Sequence, residues 1–255
     1  MVTLAELTAL QNDAANACKG YGYTYDVLDQ NELSAFLASF QRQFILTTPA
    51  REIIDLYNRH ATEILMGAMI AKKQMSSNID GEQPGSGKIG GPLMIRAAWL
   101  GVGQDWDDIS TITCGSAQNW IHSGTTLMGG TSGNAVKIGT NQVTVAIAMG
   151  SFHPSPKIES VAFTIDGKPK PVLILQNIRK AVMPSIGFPF KEFDNAYIFK
   201  KDNTVLAKII ITSGIVSTAL DIPYLLGASF IKEDQLRVQL ATSIPGTTPD
   251  VIKTT

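Results

Sequence analysis

The chain has 255 residues, 44% of them hydrophobic and only 17% charged, and its 21 basic against 22 acidic side chains leave a net charge of −1. That balance excludes the strong basic field of a nucleic-acid-condensing protein, and the longest apolar run, Ile64 to Ala71, is far shorter than the roughly eighteen residues that span a bilayer. The length allows one large domain or two small ones, and a charged fraction below the usual value of about 25% fits a surface covered by neighbours, because interface cores are depleted of charge.

The first 75 residues have helical periodicity. Thr3 and Glu6 have capping-box spacing, Leu4, Leu7, Leu10 and Ala14 recur on one face, and Gly20 supplies a stop. After the turn-rich "YGYTYD", a second helix is expected from Asn31 to Ile45, with a stripe of Leu33, Phe36, Leu37, Phe40 and Phe44. A third is expected from Thr48-Pro49 onward through Ile53, Ile54, Tyr57, Ala61, Ile64, Leu65 and Ala68, its proline sitting in the first turn. This region is mildly acidic, with Glu6, Asp13, Asp26, Asp29 and Glu32 set against Lys19 and Arg42 in the first 50 residues, so it is no basic arm for a genome.

Residues 76–141 read as a Gly-rich connector and a mixed segment. Its stretch "GEQPGSGKIGG" ends like a phosphate-binding loop, but Glu82 stands where the first glycine belongs and Ile89 where the metal-binding hydroxyl belongs. An acidic side chain repels phosphate and isoleucine holds no magnesium. The stretch is therefore read as a hinge built on Gly85, Gly87, Gly90 and Gly91, with no nucleotide cofactor. Further on, "ISTITCGS" reads as a strand and residues 123–141 as a long Gly/Thr-rich surface loop.

From Gln142 the period becomes two. Val143, Val145 and Ile147 alternate with small or polar neighbours, and Val161, Phe163 and Ile165 lead into Asp166-Gly167, a two-residue hairpin signal. Pro169 and Pro171 place the return strand at a sheet edge. Further hairpins are expected around Lys201-Asp202-Asn203 and around Glu233-Asp234. Strands without interleaved helices predict an antiparallel, jelly-roll-like β-sandwich over residues 142–242, and hence an α+β protein with a helical N-terminal region and an extended tail at 243–255.

The chemistry-bearing residues are scattered. His60, His122 and His153 form no metal-binding pair, Ser132 lies outside a nucleophile elbow, and Cys18 and Cys114 stand alone as buried free thiols. Asp105, Asp107 and Asp108 in "GQDWDDI" are close enough to offer oxygens to a cation, yet they lack the glycine and distal glutamate of a calcium loop. No catalytic, cofactor or metal site is assigned, and the expectation is that the chain is not an enzyme. Trp99, Trp106 and Trp120 cluster in the middle third, which is the basis for an alternative reading as a lectin-like binding module; an enzyme with an unrecognised site in 92–141 is a third.

In general layout the chain resembles jelly-roll capsid proteins of viruses, with 142–242 as the sandwich and 1–75 and 243–255 as the terminal arms. The resemblance is one of plan without a specific motif. It implies a structural subunit that assembles with copies of itself and with other virion proteins, makes no sequence-specific nucleic-acid contact, and resides in the virion. If the chain is not viral, the start "MVTLAELTAL", which lacks the pattern of a signal peptide, implies the cytoplasm. Many capsid proteins that condense RNA carry a basic arm. Its lack here points to a shell filled by a packaging motor or lined by protein or lipid.

Overall fold

The computed structural model describes residues 3–47, 51–76, 89–90, 100, 117–123, 133–151, 158–174, 190–211 and 223–231. Four helices come first: α1 Leu4–Gly20, α2 Gln30–Thr47, α3 Arg51–Arg59 and α4 Ala61–Ser76. Among the described residues ten strand segments follow: β1 Ile89–Gly90, β2 Gln118–Ile121, β3 Val136–Lys137, β4 Gln142–Ser151, β5 Ile158–Ile165, β6 Lys168–Pro169, β7 Leu173–Ile174, β8 Phe190–Phe199, β9 Thr204–Ile211 and β10 Pro223–Ile231. The protein is α+β, with antiparallel sheets after the helices. Among the described residues no helix is long and apolar enough to cross a membrane.

Local chemistry sets the helix ends. Thr3 and Glu6 close the expected capping box, with Thr3 N–H donating to Glu6 Oε2 at 2.7 Å and Glu6 N–H to Thr3 Oγ1 at 3.3 Å. The helix then runs through Gly20. The left-handed residue is Gly22, at φ +68°, and Tyr23 N–H reaches Cys18 O while Gly22 N–H reaches Lys19 O, the two bonds of a Schellman stop. Asp29 caps α2 through Asn31 and Glu32 N–H, and Glu32 Oε2 accepts in return from Asp29 N–H. The single long helix expected after Thr48-Pro49 is two helices, interrupted at His60. His60 N–H still donates to Leu56 O and its carbonyl still accepts from Ile64 N–H, so the helical bonds bracket the break. Thr48-Pro49 lies outside the described residues.

The strands form two antiparallel sheets. One has the order β1-β10-β4-β8, and the other β2-β9-β5-β6, with β7 also on β5 and β3 also on β9. If β6 and β7 count as one edge strand and β3 as an accessory, strand one pairs with eight, two with seven, three with six and four with five. That nesting of antiparallel pairs, split into two four-stranded sheets, is the jelly roll. The sandwich begins well upstream of Gln142, since β1 and β2 come from the segment that the sequence pattern assigns to the connector.

Turn chemistry is read correctly where it is local. Asp166 and Gly167, at φ +53° and +72°, close the β5–β6 hairpin with Ile165 opposite Lys168, and Pro169 falls on the edge as expected. The second expected hairpin is corrected. Asp202 does turn the chain at φ +68°, but β8 pairs with β4 in the first sheet and β9 with β5 and β2 in the second, so the turn is an arch between sheets. The turn around Glu233-Asp234 lies outside the described residues.

β4 departs most from expectation. Its alternation predicts one buried face, yet every residue from Val143 to Met149 is buried. Val143, Val145 and Ile147 pack with the helices, while Ala146 and Met149 pack into the sandwich with Trp120, Phe163, Phe193 and Phe199. The first sheet is thus the middle of three layers, with helices on one side and the second sheet on the other. Against it lies α4, whose run Ile64–Ala71 is buried all round.

Two close approaches fix this stacking. A Cβ on Gly67 of α4 would lie 2.2 Å from Val145 Cγ2, so only glycine lets the helix come this near. In β10 the register with β4 shifts between Leu226 and Gly227, skipping Ile147, and a Cβ on Gly227 would meet Val145 O at 1.8 Å. The backbone polar groups freed at this bulge are met from the helical layer. The buried Tyr57 hydroxyl donates to Gly227 O at 2.7 Å and accepts from Gly227 N–H at 2.9 Å, and burial pushes its phenol pKa far up.

Tyr57→Phe is expected to lower unfolding free energy by about 1–3 kcal/mol, because it orphans buried backbone groups. Gly67→Ala should cost a similar amount, about 1–3 kcal/mol, through overpacking. Urea titrations check both, and losses under about 0.5 kcal/mol would show that the layers are free to shift.

Candidate functional site

Among the polar groups of the described residues, three constellations are candidates for a site. The first is a buried hydroxyl pair between β4 and β10, where Thr144 Oγ1 and Ser229 Oγ lie 2.6 Å apart and Gln142 Nε2 donates to Thr144 Oγ1. It satisfies polar groups inside the sandwich and contains no group that titrates near neutral pH.

The second lies on β2, where the register with β9 skips Trp120. That bulge resets the alternation, so Asn119 and His122 share the face that Gly133 crosses; a Cβ there would meet Asn119 Nδ2 at 2.7 Å and His122 Cβ at 3.1 Å. Asn119 is fully buried and, among the described residues, neither end of its carboxamide has a hydrogen-bond partner. His122 Nδ1 lies 3.2 Å from Ser123 O, which favours a proton on Nδ1. Trp120 points into the sandwich, edge-on to Phe163 with ring centroids 5.9 Å apart. Being fully buried, it offers no face to a ligand.

The third constellation gathers charge, and it is the candidate site. At the α3–α4 corner His60 is only 6% exposed. Its Nε2 lies 3.0 Å from Glu192 Oε1 on β8, and its Nδ1 3.5 Å from Glu63 Oε1 one helical turn on. The second contact is too long for a full hydrogen bond and is an ion pair only while the imidazole is protonated. Arg59 completes the group with a fork onto Glu192, Nε to Oε1 at 3.2 Å and Nη2 to Oε2 at 2.5 Å.

The charges tune one another. Glu63 foremost, and Glu192 after it, raise the His60 pKa, while burial works in the opposite direction. His60 lowers that of Glu63, and Arg59 first, with His60, lowers that of Glu192. The cluster can hold and release a proton on the imidazole. Both ring nitrogens face carboxylates, one on α4 and one on β8, so the imidazole bridges the helical layer and the first sheet.

Few of the residues singled out by sequence belong to these groups. His60 does, in a buried ionic role, and His122 sits at the end of β2. Gly90 of the expected hinge is in β1, opposite Ser229 of β10. Gly85, Gly87, Gly91, Asp105, Asp107, Asp108, Cys114, Ser132, His153, Trp99 and Trp106 lie outside the described residues. Cys18 is a buried free thiol whose pKa burial pushes up to about 11. Among the described residues, no group of three or more His, Cys, Asp or Glu is arranged to hold a metal ion. Sequence reasoning missed Glu192, although the His60/Glu63 spacing of three was visible.

Comparison with protein-family models, with curated proteins and with solved structures finds no match to the chain.

Arg59 is 54% exposed at its side chain, so its fork is screened by solvent. Arg59→Gln is accordingly expected to lower stability by less than about 1 kcal/mol near neutral pH. A larger loss in denaturant titration would show that Arg59, and not the buried imidazole, holds Glu192.

Proposed function

We propose that the chain is a structural, non-catalytic subunit that assembles with copies of itself, and that its place is the coat of a virion, where many copies tile a shell together with other virion proteins. The observation that carries the reading is the jelly-roll strand order, an architecture used by viral capsid and lectin domains alike. Two features favour assembly over sugar binding. Charged residues are 17% of the chain, low for a protein that meets water on all sides. The outer edge of the second sheet also carries apolar side chains in the open: Val172 is 57% exposed and Ile174 50%. The lectin-like reading drew on a tryptophan cluster, and Trp120 is buried in the core.

In this reading the β6–β7 edge is a contact between subunits, with Lys168, Pro169 and Pro171 guarding it against indiscriminate strand pairing. The helical layer covers one face of the first sheet and leaves the second sheet and its edge to face neighbours. Residues 243–255 serve as the lacing tail.

Sedimentation velocity and negative-stain microscopy over a range of salt and pH are expected to show regular particles or discrete oligomers, and a monomer under every condition would overturn the proposal. The pair Val172→Lys and Ile174→Lys should block assembly while leaving the unfolding free energy within about 0.5 kcal/mol of the parent. Deleting residues 243–255 should impair particle formation with the fold intact. Undiminished particles in both variants would remove these two contacts from the account.

A further inference from the structure

The α3–α4 corner reaches the edge strand of the first sheet through one glutamate. Glu192 stands opposite Ala148 of β4, and β8 has β4 as its partner in the sheet order. Glu192 Oε1 receives both His60 Nε2 at 3.0 Å and Arg59 Nε at 3.2 Å. Across the ring, Glu63 faces Nδ1 at 3.5 Å. The buried imidazole is therefore held between two carboxylates that belong to different layers.

We infer that Arg59, His60, Glu63 and Glu192 form a pH-responsive clasp that fastens the helical layer to edge strand β8 in mildly acidic to neutral solution and releases it as the pH rises. The charge count gives the reason. With the imidazole protonated, two cations face two carboxylates and the cluster is neutral. After deprotonation its net charge is −1, and the ring keeps only one N–H to donate. One of the two carboxylates then faces a ring lone pair in a half-buried site, where repulsion is little screened.

Among the described residues, the charges that act on the imidazole are those of Glu63 and Glu192. Asp55, one turn back on α3, acts on Arg59 and adds negative charge. On β8, Lys191 and Asp194 are exposed on either side of Glu192, and Ala148, opposite Glu192 on β4, carries no charge.

The direction of the pH effect follows from the folded-state values. The His60 pKa is raised above its usual 6.5, so its contribution is complete below that value and is lost as pH rises through the folded pKa. Glu63 and Glu192 are lowered from their usual 4.5, so their contributions are present above that value and fade as pH falls through the folded pKa values. The clasp is strongest between these limits. It acts within one chain, and so holds whether or not the chain assembles.

The test uses the full chain. NMR follows the His60 ring, while hydrogen exchange, corrected for intrinsic rate, follows amides of residues 59–63 and 190–193. The imidazole is expected to titrate above 6.5, with β8 protection falling about two- to tenfold over the same range. In His60→Gln that step should vanish. Flat protection through the wild-type titration, a ring titrating at or below 6.5, or an unchanged step in His60→Gln would each overturn the clasp. If His60→Gln does not fold, Glu63→Gln serves in its place; the step should move to lower pH, and an unmoved step would equally overturn it.

Discussion

A sheet buried on both faces is the constraint from which the rest of this molecule follows. β4 and β10 have no solvent side: Val143, Val145, Tyr224, Leu226 and Phe230 meet the helices, while Ala146, Met149 and Leu225 meet the second sheet. A strand in that position cannot alternate apolar with charged residues, because a charge on either face would be desolvated without a partner. It can alternate large with small. Val143, Val145 and Ile147 face the helical layer, and Ala146 opens space for the aromatic cluster of Trp120, Phe163, Phe193, Tyr197 and Phe199.

Such burial makes a backbone irregularity costly, and the one in β10 has both a dedicated partner and a glycine. The register shift at Ile147 frees polar groups of β10, which the Tyr57 hydroxyl satisfies from the helical side. Buried polar side chains at the margins follow the same logic. Gln11 pairs with both backbone groups of Leu28, and Glu32 takes Lys72 Nζ at 2.7 Å. The helical layer is consequently a wall of the core, joined to the sheet by hydrogen bonds as well as by apolar contact.

Features decided within a few residues were readable in the sequence. The Thr3/Glu6 capping box and the Asp166-Gly167 turn depend on spacing alone and appear as expected. The switch from helical to strand periodicity also divides the chain at about the right place, although β1 and β2 are too short to announce themselves. What could not be read depends on distant partners. The Lys201–Asn203 turn has hairpin chemistry, but sheet pairing sends its two flanks to different sheets. The alternation in β4 signals one buried face and gives no sign of the helices covering the other. His60 meets Glu63 at a visible spacing of three, yet Glu192 is 132 residues away, so the clasp exists only in the folded chain.

The layered arrangement bears on assembly. In the proposed assembly, a jelly roll whose first sheet is sealed by its own helices would meet neighbours through its second sheet and its sheet edges. All of this requires that helices and sandwich share one core and fold as one unit. Equilibrium unfolding of the full chain in urea, followed both by far-ultraviolet circular dichroism, dominated by the helices, and by the fluorescence of tryptophans including the sandwich's Trp120, tests that requirement directly. The account predicts that the two curves superimpose in a single transition. Loss of the helical signal at lower urea, with the tryptophan signal still native, would contradict it.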